Sequence, residues 1–119
     1  MTRLLRMKEI YIDWTKNHWK HATTRFHQLK FEDYELTSGS RYKPKKSGII
    51  IQINNFWEWT RNNIAYQKWM QEDILNAEDS RRVKFKTWQD FIDELESING
   101  REIGMDERLY TNFYWMRLI

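Results

Sequence analysis

The 119-residue chain contains no cysteine. That excludes a disulfide framework, a thiolate zinc site and a cysteine nucleophile. It has one proline and four glycines, which excludes Pro-rich or Gly-rich linkers between domains. Long apolar runs are also missing. The opening stretch MTRLLRMKEIYID starts positive, but charges interrupt its apolar residues every one or two positions. It therefore lacks the pattern of a signal peptide or a membrane span, and the expected compartment is the cytoplasm. No Walker-type phosphate loop, GxGxxG, GxSxG or HExxH occurs, so the expectation is a protein without enzymatic activity, cofactor or metal.

Aromatic residues are abundant: seven Trp, six Tyr and six Phe, together 16% of the chain. Large rings bring much buried area per residue, so a single-domain core over residues 1–119 is expected despite a mean hydropathy of −0.88. The charge is uneven. Residues 1–46 carry a net +6 and residues 47–119 a net −3, giving the overall +3. Such asymmetry points to an anionic partner on one side of the molecule.

Residues 8–14 alternate Ile10, Ile12 and Trp14 with Glu9 and Asp13, which predicts a strand that Tyr11 interrupts. Residues 16–25 read as a polar loop. Residues 25–36 read as a strand with a bulge near Asp33. The stretch TSGSRYKPKKSG, 37–48, has loop chemistry throughout, and Ile49–Asn54 is the clearest strand, central in its sheet. Residues 54–63 read as a loop or helix entry. Residues 61–77 show helical spacing through Tyr66, Trp69, Met70 and Ile74. Residues 83–87 read as a short extended piece with Val83 and Phe85 inward. Thr87 caps a helix whose stripe is Trp88, Phe91, Ile92, Leu95 and Ile98, stopped by Asn99-Gly100. Leu109, Phe113 and Met116 at i, i+4, i+7 predict a last helix over 105–119, with a closing strand as the alternative. The expected fold is α+β. A small antiparallel sheet of about three strands forms in the N-terminal half, with two to three C-terminal helices packed on one face.

The 12-residue tip between the two predicted strands is long for a hairpin and holds Arg41, Lys43, Lys45 and Lys46 beside Tyr42. Clustered cations with a stackable ring suit phosphates and bases. Lys20 and Arg25, with Lys16, are expected to join the same end. Trp57, Trp59 and Arg61 form a second candidate, an aromatic contact, although large Trp side chains are more often core. His18 and His21, with His27 and Asp13 nearby, lack a third metal ligand, and the adjacent Lys16 and Lys20 repel a cation. Asp90, Asp93, Glu94 and Glu96 fill the polar face of the Thr87-capped helix, which solvation explains.

In its short length, lack of Cys, Trp/Tyr/Asn-rich composition and T-S-G-S-R-Y-x-P turn leading into an isoleucine strand, the chain resembles small phage or mobile-element accessory proteins of the anti-defence, anti-CRISPR-like type. The resemblance implies an inhibitor that binds a host nucleoprotein or nuclease without catalysis, and it carries over no residue roles. The expected function is a binding protein whose basic hairpin engages nucleic acid or a nucleic-acid-binding host complex, as a monomer or homodimer. Two competitors stand beside it: an interaction module that self-associates through aromatics in 110–116, and a small metal-dependent nuclease.

Overall fold

The computed structural model describes residues 2–117 of the chain. Five strands form one mixed sheet in the order β1-β3-β4-β5-β2. The strands are β1 (Arg3–Arg6), β2 (Ala22–Arg25), β3 (Asp33–Gly39), β4 (Pro44–Trp59) and β5 (Leu109–Met116), and four helices interleave with them: α1 (Glu9–Lys16), α2 (Arg61–Ile64), α3 (Lys68–Glu78) and α4 (Trp88–Asn99). β1 runs parallel to β3, and the other pairs are antiparallel.

This overturns the three-stranded antiparallel sheet with helices on one face. The C-terminal segment is the main reason. Residues 109–116 form β5, inserted between β4 and β2, where backbone pairing on both sides outweighs the i, i+4, i+7 spacing that predicted a helix. Positions 118 and 119 of that predicted helix lie outside the described residues. The helices also contact both faces. β5 pairs with β2 without a register shift, so Thr111 and Tyr114 point to opposite sides. Thr111 bonds Thr24, which donates to Glu78 of α3, whereas the Tyr114 hydroxyl lies 2.7 Å from Thr15 Oγ1 of α1.

Residues 9–16 are helix, not strand. Tyr11, Ile12, Trp14 and Thr15 are the buried set, a helical spacing in which the interrupting Tyr11 is a core residue. Residues 22–25 are strand, because Thr23 and Thr24 are β-branched and buried against β5. The 25–36 strand divides: β2 ends at Arg25, residues 26–32 form no strand, and β3 begins at Asp33. Residues 54–59 continue β4. The 61–77 helix breaks at residues 65–67, which leaves Tyr66 exposed and only Ile74 of the proposed stripe fully buried. Residues 83–87 form no strand; Phe85 is buried and Val83 exposed.

Other elements follow their spacing, except that Ile98 of the predicted α4 stripe is exposed and Trp88 is half-buried, which leaves Phe91, Ile92 and Leu95 as its buried members. Thr87 and Asp90 form a reciprocal capping box on α4, and Gly100 closes it in the left-handed conformation. β4 is the middle strand, with Ile51 and Ile53 buried. The core is continuous, running through Leu36, Ile51, Ile53, Trp59, Phe85, Phe91 and Leu109.

Candidate nucleic-acid interface

The 12-residue basic tip is not a loop. β3 and β4 stay paired to Gly39 and Pro44, so the turn shrinks to Ser40–Lys43. The Lys43 amide donates to Ser40 O at 3.2 Å and to Ser40 Oγ at 3.0 Å. Gly39 has φ +83°, and a Cβ there would lie 2.9 Å from Lys43 O, so the turn needs glycine.

A bulge sits further down the ribbon, where Glu35 pairs with Ile50 but Thr37 pairs with Lys46. The extra residues include Ser47 and Gly48. Ser47 Oγ donates to Leu36 O at 2.6 Å and accepts from the Ile49 amide at 3.0 Å. Gly48, at φ +76°, donates its amide to Glu35 Oε2 at 3.0 Å. Such a bulge pins the register and increases the local twist.

The ribbon outruns its neighbours. β1 ends opposite Thr37, and β5 pairs with β4 only from Ile51 onward. Residues 38–48 of the hairpin therefore project beyond the sheet with Arg41, Lys43, Lys45 and Lys46 exposed. Tyr42 at the tip is 90% exposed. Among the described residues, Lys45 alone of the four cations sits beside a carboxylate, its Nζ 3.4 Å from Glu9 Oε1. Both groups are well solvated, so this pair neutralises little of the field.

Lys20 does not join this end, and Arg25 reaches only its base, beside Arg6. Lys20 is 4% exposed, and its ammonium is paired with the buried Glu78 carboxylate and lies 5.0 Å from the centre of the Tyr11 ring. The other Glu78 oxygen accepts from Thr24 at 2.6 Å; Thr24 lies 2.9 Å from Thr111, which accepts from Trp59 Nε1. This is a satisfied internal network. Arg25 donates Nη2 to Arg6 O at 2.6 Å and Nε to Thr23 Oγ1 at 3.2 Å. Burial lowers its basicity, which the Glu78 carboxylate partly restores. Its bond to Arg6 links β2 to β1, the two outer strands, so the sheet curls.

The second candidate cluster also comes apart. Trp59 is 2% exposed and packs at a tilt against Trp88, with ring centres 5.2 Å apart, so it is core. Arg61 donates to Ile103 O at 3.1 Å and lies 3.9 Å from Glu96. Trp57 is half-buried between Phe113, 4.9 Å away, and Trp69, 6.0 Å away. The more accessible indoles are Trp69, 60% exposed, and Trp115, 57% exposed. A helical reading of both segments hides them: Trp69 is placed in an inward stripe, and Trp115 has no strand face to stand on.

Among the described residues, no group of three His, Asp or Glu side chains is placed to hold a metal. The acidic residues of α4 have local partners. Asp90 caps Thr87, Asp93 accepts from Gln89, and Glu96 accepts from the Ile103 amide. Glu94 gathers the Tyr11 hydroxyl and the ammonium groups of Lys8 and Lys84. Burial pushes the Glu94 carboxyl up, but the hydrogen bonds from Tyr11, Lys84 and Lys8 prevail and hold it below the usual carboxylate range. Among the described residues, no helix is long and apolar enough to cross a membrane. No family model, no curated protein and no solved structure matches the chain.

Proposed function

We propose that this protein is a non-catalytic nucleic-acid-binding protein that engages the phosphate backbone through its basic hairpin. The observation that carries the reading is the projecting ribbon: four exposed cations around a 90% exposed tyrosine, only one of them, among the described residues, beside a carboxylate. A hydrogen-bonded two-stranded arm presents these charges with less loss of conformational freedom on binding than a 12-residue loop. Contacts of this kind depend on salt and tolerate sequence. The phage-type anti-defence role belongs to this proposal as its biological setting, with a host nuclease or nucleoprotein as the place where the arm meets nucleic acid.

The test is fluorescence anisotropy with labelled DNA and RNA oligonucleotides. The variant carries Arg41→Gln, Lys43→Gln, Lys45→Gln and Lys46→Gln together. Binding is expected to be lost at moderate salt while the melting temperature stays within a few degrees, because these side chains are exposed. Equal affinity of the variant and the parent chain for every oligonucleotide overturns the proposal.

A further inference from the structure

The open side of the sheet beside the hairpin has no role in the reading above. By alternation along β1 and β5, and by pairing across β3 and β4, it presents Leu4, Ile50, Gln52, Trp115 and Phe113, together with Glu35, which pairs with Leu4 and Ile50, and Asp33, whose carboxylate is taken up in an ion pair with Arg117. Leu4 is exposed, Ile50, Gln52 and Phe113 are half-buried, and Trp115 stands out at 57% exposure. Trp115 is nevertheless held in place, with its Nε1 donating to Gln52 Oε1 at 3.2 Å. Its one hydrogen-bond donor is thus occupied, and what it offers outward is ring surface. Phe113 lies two residues away on the same side and packs against Trp57, which packs edge-on against the exposed Trp69. A line of rings therefore runs from Trp115 to Trp69, with exposed indoles at both ends.

Cations stand at the hairpin end of this side. Arg6 shares the side with Leu4 and pairs in register with Thr37, which in turn pairs with Lys46; both Arg6 and Lys46 are exposed. The tip cations lie beyond them. A second copy of the chain would bring rings but the same positive charge, whereas single-stranded nucleic acid brings flat bases and phosphates together.

We infer that this sheet side is a stacking surface for single-stranded nucleic acid, with Trp115 and Trp69 as base platforms and Arg6 and Lys46 as phosphate contacts leading to the hairpin. The inference rests on the nucleic-acid reading of the hairpin and adds the strandedness of the ligand. Duplex DNA keeps its bases stacked on each other, so it gains nothing from exposed indoles.

The experiment compares a thymidine oligonucleotide of about 15 residues with a duplex of the same length, by anisotropy and by quenching of Trp emission. The parent chain is expected to prefer the single strand. Trp115→Ala and Trp69→Ala are each expected to weaken single-strand binding about 10-fold and to leave duplex binding unchanged, whereas Trp115→Phe retains most of it. Both Trp are surface residues, and matching melting temperatures show that the variants are folded. Equal binding of both ligands, with no effect of either Ala variant, overturns the stacking surface; if the four-Gln hairpin variant still loses both ligands, the hairpin reading stands. Failure of the parent chain to bind either ligand overturns both. A dimer that dissociates on Trp115→Ala overturns the inference in favour of self-association.

Discussion

Lys20 and Lys43 carry the same charge and have opposite surroundings. Lys43 stands in solvent on the hairpin turn, whereas Lys20 is sealed against Glu78 and the Tyr11 ring. Composition counts them alike, which is why the charge of residues 1–46 was legible as a total but not as a surface. Removing one partner of a buried pair leaves the other charge without compensation, at a cost of about 3–5 kcal/mol. Lys20→Ala is therefore expected to destabilise the chain by that amount in urea unfolding. The double change Lys20→Met with Glu78→Leu is expected to recover most of the loss, and Lys43→Ala is expected to change stability by under about 0.5 kcal/mol. Equal losses for Lys20→Ala and Lys43→Ala would contradict the network. Three carboxylates contribute to the acid limb, Glu72 among them, held below its ordinary range by its hydrogen bond from Arg82. Hydrogen bonds from Arg101, then from the Gly104 amide, hold Glu107 at about 2, and Glu94 is also held down on balance. Folded carboxyls depressed below their ordinary 4.5 add stability that is present above that value and is lost as pH falls through it toward 2. The melting temperature is expected to drop over that window, and Glu94→Gln is expected to make the drop shallower. A Glu94→Gln profile parallel to the parent's would show that Glu94 contributes nothing to it.

At the level of elements, what was legible depended on whether local spacing and tertiary pairing agreed. For α4 they largely agreed: Thr87, Asp90, Phe91, Ile92, Leu95 and Gly100 sit where the sequence pattern puts them, while Ile98, the last member of the predicted stripe, is exposed. For β5 they conflicted. Leu109, Phe113 and Met116 match a helix, yet β4 and β2 each offer an edge that only a strand can satisfy. The α1 segment failed in the other direction, because Ile10, which completes the alternation, is exposed and Tyr11 is buried. The hairpin lay between these cases. Its glycines and proline read as loop, but Gly39 closes a tight turn and Gly48 makes a bulge within a continuous ladder. Both glycines have positive φ, so alanine at either costs about 1–2 kcal/mol. Only Gly39 also faces a backbone oxygen at 2.9 Å; a Cβ on Gly48 meets nothing within 4 Å. Gly39→Ala is therefore expected to destabilise more than Gly48→Ala in chemical denaturation and to loosen the tip, seen as faster amide exchange at Lys43. The reverse order would mean that the turn is not the tight one described.

For the whole molecule, the sheet order explains where the two candidate surfaces come from. Placing β4 in the centre with 16 residues makes it longer than its partners, so one end runs out as the basic arm. Inserting β5 beside it puts Trp115 next to Gln52 on an open side. The arm's chemistry was readable from Ser38 to Ser47 in the sequence; the aromatic side was not, because it needs residues from both ends of the chain and a strand that local spacing conceals. Each phosphate contact releases condensed counterions, so the slope of log K against log salt counts them, at about 0.7 per contact on a single strand. The most direct measurement is that slope, for the parent chain and the four-Gln hairpin variant on one single-stranded oligonucleotide. The account predicts that the variant's slope is shallower by about 2–3, one increment for each hairpin cation in contact. Identical slopes would show that the arm does not touch the phosphates, and would contradict it.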